Sequence, residues 1–550
     1  MSEAKSATAH AVAALNEDAV AQFSADSAFA NTLGHGIEKE SLRVQPSGAL
    51  STLPHPSELG SALTHPHITT DFSEAQLELI TGVHQSVDAT LTELDAVHRF
   101  VSANIGDELL WPSSMPCILG DDEDIPLGRY GSSNTARAKT IYRSGLGHRY
   151  GRLMQTISGI HYNFSLPDSY WEHRTANGPK SATEQSVRTR GYFDLIRNFR
   201  RYSWLLIYLF GASPAICKSF VKGREHNLST FDEGSLYLPQ GTSLRMGRLG
   251  YQSDAQADLH VSYNSLADFA QTILAALTEP YPAYQDIGVF SREHGYKQLS
   301  DSIIQIENEF YGAIRPKQPT AKGERPLLAL KRRGVAYVEV RCLDLNPFNP
   351  IGISATDARF IDTFLLFCLL SQSDPDSPDE TARMQINQQR VVEQGRAPDT
   401  MIETANGAAP LAQVAKHILD SCQDIADIQD RAADNTASAA ALAQQQAKVA
   451  DPELTPSAQV IAAMTAQQVP FFRFAMNQAL AHQRQFAEQP LAAGQRRQFE
   501  HLAEQSAHRQ RLQEASEQQP FDEYLADYMA LTDEARSAAE PEPAQASAGQ

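Results

Sequence analysis

The segment Gly36-Ile37-Glu38-Lys39-Glu40-Ser41-Leu42-Arg43-Val44 carries the first clue to the fold. On a β-strand, side chains two residues apart project from the same face, and with a rise of roughly 3.3 Å per residue the Cα atoms of Glu38 and Glu40 lie about 7 Å apart. Carboxylates placed in this way can converge on a hard cation such as Mg2+, which retains room for water and phosphate ligands. A solvated edge strand explains any single Glu-x-Glu pattern equally well. The pair therefore becomes informative only if other strands repeat it.

Other segments with the same alternation of polar and apolar residues are 159–166, 335–342 and 305–311. His161 lies on the polar face of the first segment, and Glu339 and Arg341 lie on the polar face of the second. Glu307 and Glu309 alternate with apolar residues in the third. An ordinary wet face carries Lys, Thr and Ser, whereas these faces carry Glu, His and Arg. The pattern predicts a sheet that forms the floor of an active site, with helices on its other face.

Composition excludes several classes of function. The 550 residues contain 66 acidic and 46 basic side chains, for a formal charge of −20, which opposes nucleic-acid binding because phosphate neutralisation needs a basic surface. No apolar run approaches the roughly 20 residues that span a bilayer, and the first twenty residues lack a secretory core. Five widely spaced cysteines are typical of reduced thiols. We therefore expect a cytoplasmic protein without nucleic-acid or membrane partners.

The acidic residues are unevenly distributed. Residues 131–167 contain no Asp or Glu, although the whole chain has 66 of them. The basic residues in this window are Arg137, Lys139, Arg143, Arg149 and Arg152. The local positive charge predicts a polyanionic ligand that is carried with a metal ion. The alternative is a basic helix that pairs with acidic surface elsewhere in the protein.

Asp71 and Glu78 are two further candidate carboxylates. Asp71 followed by Glu74 forms a capping signature, which predicts a helix that begins at Asp71. On such a helix Asp71 and Glu78, seven residues apart, would share nearly one face. An N-cap and a surface glutamate would explain them in isolation. Beside Glu38 and Glu40, they predict one carboxylate cluster, which needs cations because an unpaired buried charge is strongly unfavourable.

Nine segments, taken in their order and spacing, resemble one family. They are HGIEKESLRV, GSALTHPHITTDFSEAQLELIT, DELLWPSSMPC, RYGSSNTARAKTIYRSGLGHRYG, LMQTISGIHYNFSLP, YLFGASPAIC, TSLRMGRLGY, IQIENEFYGAIRPK and VAYVEVRCLDLNPFNPIG. The sequence resembles the proteobacterial glutamate-cysteine ligases, the enzymes of the first step of glutathione synthesis. The resemblance extends from about residue 34 to residue 352 and weakens over the C-terminal third.

The resemblance implies an α+β fold of the glutamine-synthetase-like carboxylate-amine ligases. In that fold a curved, mainly antiparallel sheet lines an active-site funnel, helices cover its outer face, and the C-terminal third is helical. Apolar spacing independently predicts helices at residues 362–370, 411–430 and 439–449. The expected organisation is a flexible N-terminus (1–25), a catalytic core (26–352), a mainly helical region packed on the core (353–535) and a disordered tail (536–550). A monomer is expected.

The resemblance also implies a reaction. The γ-carboxylate of L-glutamate attacks the terminal phosphate of ATP to give γ-glutamyl phosphate, and the amine of L-cysteine then displaces the phosphate. The products are γ-glutamylcysteine, ADP and phosphate. ATP is thus a co-substrate, and the expected cofactor is Mg2+, with Mn2+ as an alternative.

The family motifs assign roles to individual residues. The implied metal ligands are Glu38, Glu40, Asp71, Glu78, His161 and Glu339. The implied catalytic residues are Glu38, Glu339, Arg143 and Arg341, the two arginines binding the transferring phosphoryl group through their planar guanidinium groups. Arg245 is implied to clamp a substrate carboxylate. The implied cysteine pocket consists of Tyr142, Leu146, Gln155, Tyr251 and Tyr311.

Two other functions remain open at the level of sequence. One is a related carboxylate-amine ligase with the same metal floor and a different amine substrate, which the cysteine pocket would distinguish. The other is a non-catalytic metal-binding homologue, and the presence of every expected carboxylate together with Arg143 and Arg341 argues against it.

Overall fold

The computed structural model describes residues 12–116, 118–250, 254–257, 259–321, 323–531 and 533–539. The strands in this part of the chain are β1 (Gly34–Val44), β2 (Ile68–Thr70), β3 (Gln76–Ile80), β4 (Leu109–Leu110), β5 (Ile160–Ser165), β6 (Ala215–Cys217), β7 (Ser229–Thr230), β8 (Ser235–Tyr237), β9 (Phe290–Ser291), β10 (Gly295–Tyr296), β11 (Ile314–Lys317), β12 (Tyr337–Leu343), β13 (Met401–Thr404) and β14 (Gly407–Pro410).

The α-helices are α1 (Glu17–Phe23), α2 (Ser27–Asn31), α3 (Val87–Ser102), α4 (Asn134–Tyr150), α5 (Arg152–Gln155), α6 (Asp168–Ala176), α7 (Glu184–Phe210), α8 (Asp254–Ala257), α9 (Leu266–Thr278), α10 (Pro282–Ile287), α11 (Pro326–Arg333), α12 (Ala355–Leu370), α13 (Pro378–Gln394), α14 (Leu411–Ser421), α15 (Gln423–Ala433), α16 (Ala437–Ala450), α17 (Pro456–Gln467), α18 (Phe471–Glu488), α19 (Ala493–Ser516), α20 (Phe521–Met529) and α21 (Asp533–Arg536). The helices expected at 362–370, 411–430 and 439–449 are confirmed, the second as two consecutive helices.

One seven-stranded sheet organises the described residues. Its order is β11-β12-β5-β1-β3-β2, with β4 paired to β1. All of its pairs are antiparallel. The strands expected at residues 36–44, 159–166 and 335–342 are confirmed as β1, β5 and β12, which lie side by side at its centre. The α+β fold class with a mainly antiparallel sheet is thereby confirmed.

The register of the sheet brings polar residues of neighbouring strands together. Glu38 lies opposite His161 on β5, and Glu40 lies opposite Glu78 on β3. Directly opposite residues of an antiparallel pair project from the same face. The alternation seen in the sequence therefore places all four side chains on a single face.

The other face of the sheet is covered by helices; it is apolar on β5 and β12, whereas on β1 it also buries Lys39, Ser41 and Arg43. Ile37, Tyr162 and Val340 are each at most 1% exposed and belong to the largest hydrophobic cluster. Helices α7 and α12 pack together in the same cluster. Helix α12 starts with a capping box, in which Ser354 and Asp357 each accept a hydrogen bond from the other's backbone N–H. The helical cover expected from the alternation is present.

The prediction of a helix that begins at Asp71 is wrong. Residue 71 lies in the turn between β2 and β3, where its N–H donates to the carbonyl of Gln76 at 3.0 Å. Glu74 does not cap a helix, because its carboxylate accepts the backbone N–H groups of His55 (3.0 Å) and Arg129 (2.7 Å). Glu78 lies on strand β3. These long-range contacts carry no local sequence signal.

The strand predicted at residues 305–311 is also wrong. This segment is a loop with a 3-10 turn at Glu307–Glu309. Glu309 pairs with the enclosed Arg149 at 3.0 Å, and Glu307 pairs with Arg325 at 2.8 Å. These ion pairs with distant residues, and not strand pairing, determine the conformation of the segment.

The last helices return to the core. Ser506 on α19 accepts the backbone N–H of Ser61 at 2.9 Å. On α20, the ring of Phe521 lies under the guanidinium of Arg137, 3.9 Å from the ring centroid. Ala538, in the 3-10 turn Ser537–Ala539, is 2% exposed. The C-terminal region therefore contacts α4, the helix that lies within the acid-free window of residues 131–167.

The chain termini, the cysteines and the helix lengths were also predicted from the sequence. The flexible N-terminus was expected at residues 1–25, but residues 17–23 form α1 and bury Phe23. The disordered tail was expected from residue 536, but Ser537–Ala539 form a 3-10 turn that buries Ala538. Residues 1–11 and 540–550 lie outside the described residues. Cys342, Cys368 and Cys422 are free, as expected, whereas Cys217 is disulfide-bonded, which corrects the expectation of reduced thiols for that residue. Among the described residues, no helix combines the length and the apolar character that a membrane crossing requires.

Candidate functional site

The polar face of the sheet contains a candidate metal centre. One ligand atom from each of Glu38, Glu78 and His161 lies within 4.8 Å of the other two. Two carboxylates and an imidazole are ligands that suit a divalent cation. Burial, followed by the charge of Glu38, raises the pKa of Glu78 well above its usual range. The cluster thus concentrates negative charge that a bound cation would neutralise, and the donor set fits one.

Glu40 adjoins this centre. One of its oxygens, Oε1, lies 3.7 Å from Nε2 of His161, and Oε2 accepts the backbone N–H of Gly159 at 2.7 Å. Burial and then the charge of Asp71 raise the pKa of Glu40 to about 8. Asp71, although on a turn and not on a helix, is therefore close enough to act electrostatically on the cluster. The side chain of Glu40 lies on the same face as those of Glu38 and His161.

His161 lies between the carboxylates and an arginine. Its Nδ1 lies 3.2 Å from Oε2 of Glu38 and 3.4 Å from Nη1 of Arg341. Burial, followed by the charge of Arg341, lowers the pKa of His161. The imidazole is thereby kept neutral, which is the form that binds metal ions.

Glu339 is surrounded by cations. Lys317 Nζ lies 3.1 Å from Oε1, and Arg341 Nη1 donates to Oε2 at 3.0 Å, while Arg315 is 4.0 Å away. Although burial acts to raise it, the pKa of Glu339 is held well below its usual range by Lys317 and then by Arg341. Glu339 therefore lies outside the cluster of Glu38, Glu78 and His161 and within a zone of positive charge.

The two arginines expected to bind phosphate approach the cluster from different elements. Arg341 extends from β12, and burial of its guanidinium is outweighed by Glu339 and Glu40, which raise its pKa. Arg143 extends from α4, donates to the carbonyls of Asp71 and Thr70, and lies over the ring of Tyr130, 4.6 Å from its centroid. Both guanidinium groups are held rigidly.

Arg245 lies beneath the start of β5. It is 2% exposed, and its Nη2 donates to the carbonyl of Arg341 at 2.8 Å. A Cβ at Gly159 would lie 2.1 Å from this guanidinium, so the close approach requires glycine. Asp344 contacts it at 4.0 Å.

The residues of the expected cysteine pocket are partly brought together. Gln155 Nε2 donates to the hydroxyl of Tyr311 at 3.2 Å. Leu146 and Tyr142 lie one turn apart on α4, and Leu146 is 7% exposed. The charge of Tyr311 is among the contributions that raise the pKa of Tyr142, after burial and Glu309. Tyr251 lies outside the described residues.

A cavity of about 200 Å³ opens beside the cationic zone. Phe269, Ile273 and Leu327 form apolar wall, and Arg315 and Lys317 form its polar border toward the sheet. Neither cation was singled out from the sequence. The pattern Arg315-x-Lys317 on β11 has the period of a strand and could have indicated them, because Arg315 lies opposite Glu339.

Comparison with known proteins identifies the family of this chain. The profile of the family described as glutamate-cysteine ligase matches residues 20–391. The glutamate–cysteine ligase of Alcanivorax borkumensis is 48% identical over 94% of this chain and 98% of its own, and that of Pseudomonas paraeruginosa is 49% identical over 90% of this chain and 94% of its own.

Solved structures agree with the sequence comparison. The glutamate–cysteine ligase of Francisella tularensis, crystallised in complex with AMP, superposes with a TM-score of 0.85 at 37% identity, over 90% of this chain and 97% of that one. The bifunctional glutathione synthetase of Pasteurella multocida, at 24% identity and a TM-score of 0.66, shares the fold. The fold is thus that of a ligase. The chain belongs to the glutamate-cysteine ligase family.

Proposed function

We propose that this protein joins the γ-carboxylate of L-glutamate to the amine of L-cysteine at the expense of ATP. The observation that carries the proposal is the convergence of Glu38, Glu78 and His161 beside Arg341 on one face of the sheet. A site for phosphoryl transfer needs cations against developing negative charge, and this face offers both metal ligands and fixed guanidinium groups.

The metal role rests on six side chains. We assign Glu38, Glu78 and His161 as the central ligands, with Glu40, Asp71 and Glu339 as the further expected ones. Bound Mg2+ would supply Lewis-acid neutralisation of the phosphate oxygens. Burial and Arg341 keep the imidazole neutral, and Oε1 of Glu40 lies 3.7 Å from its Nε2.

Arg341 and Arg143 are assigned to the transferring phosphoryl group. Their side chains are anchored by Glu339 and by the carbonyl groups of the β2–β3 turn, so that little reorganisation is needed when charge develops. The γ-carboxylate oxygen of glutamate forms the new bond to the terminal phosphorus as the bond to ADP breaks. Arg245 is the candidate for holding a substrate carboxylate, as the resemblance to the family implies.

The nucleotide has a candidate location. The cavity beside Arg315 and Lys317 is smaller than the about 300 Å³ of a typical drug-sized pocket, so it suits one part of a nucleotide. Its apolar wall matches a base, and the cations at its border match phosphates. AMP in the related Francisella tularensis enzyme supports nucleotide binding in this fold.

The amine would enter on the side of α4. Tyr142, Leu146, Gln155 and Tyr311 offer an apolar wall and phenolic hydroxyl groups, which fit a small thiol amino acid. Its neutral amine attacks the acyl carbon of γ-glutamyl phosphate, the C–O bond to phosphate breaks, and the proton lost from nitrogen leaves with the phosphate. Both nucleophiles thus come from the substrates, and the protein does not supply one.

The test is a product assay with the purified protein, MgATP and L-glutamate, with and without L-cysteine. We expect ADP release that depends on cysteine and a product with the mass of γ-glutamylcysteine. ADP release with another amine and not with cysteine would replace the assigned substrate. No turnover with any amine would refute the proposed reaction.

A further inference from the structure

Glu309 is completely enclosed although the reaction proposed above gives it no role. Its side chain and that of Arg149 are both 0% exposed, and Arg149 Nη1 donates to Oε1 at 3.0 Å. The hydroxyl of Tyr150 donates to the same oxygen at 2.7 Å, and the N–H of Gln305 donates to Oε2 at 2.6 Å. Both oxygens are occupied by protein donors, so Glu309 cannot act on a substrate directly.

The partner of Glu309 is equally fixed. Arg149 Nε donates to Oε1 of Gln298 at 2.9 Å, and Nη2 donates to the carbonyl of Ser300 at 2.5 Å. Its guanidinium lies over the ring of Tyr284, 4.2 Å from the centroid. A buried ion pair with this many additional bonds specifies one geometry, because any other arrangement would leave a desolvated charge unpaired.

This network reaches the expected amine pocket through aromatic and amide contacts. The ring of Tyr150 meets that of Tyr311 edge to face, with centroids 5.7 Å apart. Gln256 Oε1 accepts the N–H of Tyr311 at 3.0 Å, and its Nε2 donates to the carbonyl of Glu309 at 3.3 Å. The hydroxyl of Tyr311 in turn accepts from Gln155. Tyr311 is therefore held from its backbone, its ring and its hydroxyl.

A second route runs along helix α4. Gln305 Nε2 donates to the carbonyl of Tyr142 at 3.3 Å. A Cβ at Gly145 would lie 2.3 Å from Oε1 of Gln305, so the loop approaches the helix at a distance that only glycine permits. The segment 305–311 is thus docked on the same helix that carries Tyr142 and Leu146.

We propose that Glu309, acting through Arg149 and Tyr150, is the positioning residue of the amine-substrate pocket and sets the affinity for a small thiol amino acid. The inference rests on the proposed function and deepens it. Removing the carboxylate charge loosens Tyr311 and Tyr142 together, while the cluster of Glu38, Glu78 and His161, which these contacts do not include, keeps its geometry.

The experiment compares steady-state constants for the three substrates in the full-length protein with Mg2+. Glu309→Gln keeps the shape and removes the charge, and we expect it to raise KM for L-cysteine about tenfold or more, with KM for ATP and L-glutamate within about twofold of wild type. Tyr150→Phe removes one hydroxyl and should shift KM for cysteine in the same direction by a smaller factor, without threatening the fold.

Glu307→Gln is the matched contrast. It breaks another enclosed pair, with Arg325, in the same turn but on the side of the cavity. We expect KM for L-cysteine to stay within about twofold of the wild-type value in Glu307→Gln. A general loss of structure would instead change KM for cysteine in both glutamate variants.

The inference is overturned if wild-type protein turns over cysteine while Glu309→Gln and Tyr150→Phe leave its KM unchanged, or if KM rises equally for all three substrates. Should Glu309→Gln fail to fold, Tyr150→Phe alone decides between these outcomes. Absence of cysteine-dependent turnover in the wild-type protein would instead overturn the proposed function, and this inference with it.

Discussion

Glu38 and His161 are direct partners across the β1–β5 pair, and Nδ1 of His161 lies 3.2 Å from Oε2 of Glu38. The register of two strands thus determines which carboxylate meets the imidazole. Because Glu40 lies two residues further along β1 and opposite Glu78, the same register places the remaining acids beside that pair. The candidate metal centre is a consequence of strand pairing.

Replacing Glu38 with Gln should abolish turnover and leave the fold largely intact. The side chain contributes a ligand and little packing, and loss of Lewis-acid neutralisation should lower kcat by at least about a hundredfold. Glu339→Gln should also lower kcat, because it removes the carboxylate charge that Arg341 and Lys317 both contact. Steady-state rates at saturating Mg2+ and far-UV circular dichroism check this. Substantial residual activity in either variant would refute the assigned role.

Magnesium should stabilise the protein. Neutralising the repulsion between Glu38 and Glu78 favours the folded state, and a ligand that binds only that state raises the midpoint of unfolding. We expect thermal midpoints to rise with Mg2+ and to return when a chelator is added. In Glu78→Gln the metal-free protein should be more stable than wild type and respond less to Mg2+. An equal response in both proteins contradicts this ligand assignment.

Acid should destabilise the protein through His65. Its Nδ1 accepts the N–H groups of His67 and Ile68, each at 3.0 Å, and burial, followed by the charge of His67, lowers the pKa of His65 to about 4. The folded state therefore binds the proton more weakly than the unfolded state, so stability is present above pH 6.5 and is lost as the pH falls toward 4.

The expected loss through His65 is on the order of 2 kcal/mol, at about 1.4 kcal/mol per pKa unit with allowance for partial solvent access. Urea unfolding between pH 7 and 4.5 measures it. His65→Asn retains an acceptor and does not titrate, so its stability should vary less over this range. Parallel pH profiles for both proteins would show that His65 does not contribute.

The contact between helices α20 and α4 should support both stability and activity. Phe521 is 5% exposed and lies under Arg137 near the start of the helix that carries Tyr142 and Arg143. Phe521→Ala should cost about 2–4 kcal/mol and lower kcat by loosening that helix. Leu512→Ala, at a side chain that is 56% exposed, is the control and should change neither the unfolding midpoint nor the rate. Equal behaviour of the two variants would contradict this.

The sequence predicted strands β1, β5 and β12 correctly because side chains of different chemistry alternate between the two faces of each strand, which gives a period of two. It failed at Asp71 and at residues 305–311 because distant partners determine those segments. The carboxylate of Glu74 caps backbone groups of His55 and Arg129, and Arg149 draws in Glu309. Such contacts leave no local pattern.

Some residues of the candidate site were predicted from the sequence, and others were not. Glu38 and His161 follow from alternation, Glu78 was predicted through a helix that does not form, and the resemblance to the family supplied the role of Arg143. Lys317, which contacts Glu339 at 3.1 Å, was missed because its four-residue strand contains a proline that weakens the strand pattern.

Transfer of oxygen from glutamate to phosphate tests the central claim most directly. With L-glutamate labelled with 18O in its γ-carboxylate, formation and displacement of γ-glutamyl phosphate leaves one labelled oxygen in each inorganic phosphate, and mass spectrometry of the phosphate detects it. The account predicts one 18O per phosphate released and a dependence of that release on L-cysteine. Phosphate that carries no label, formed while γ-glutamylcysteine accumulates, would contradict the acyl-phosphate route.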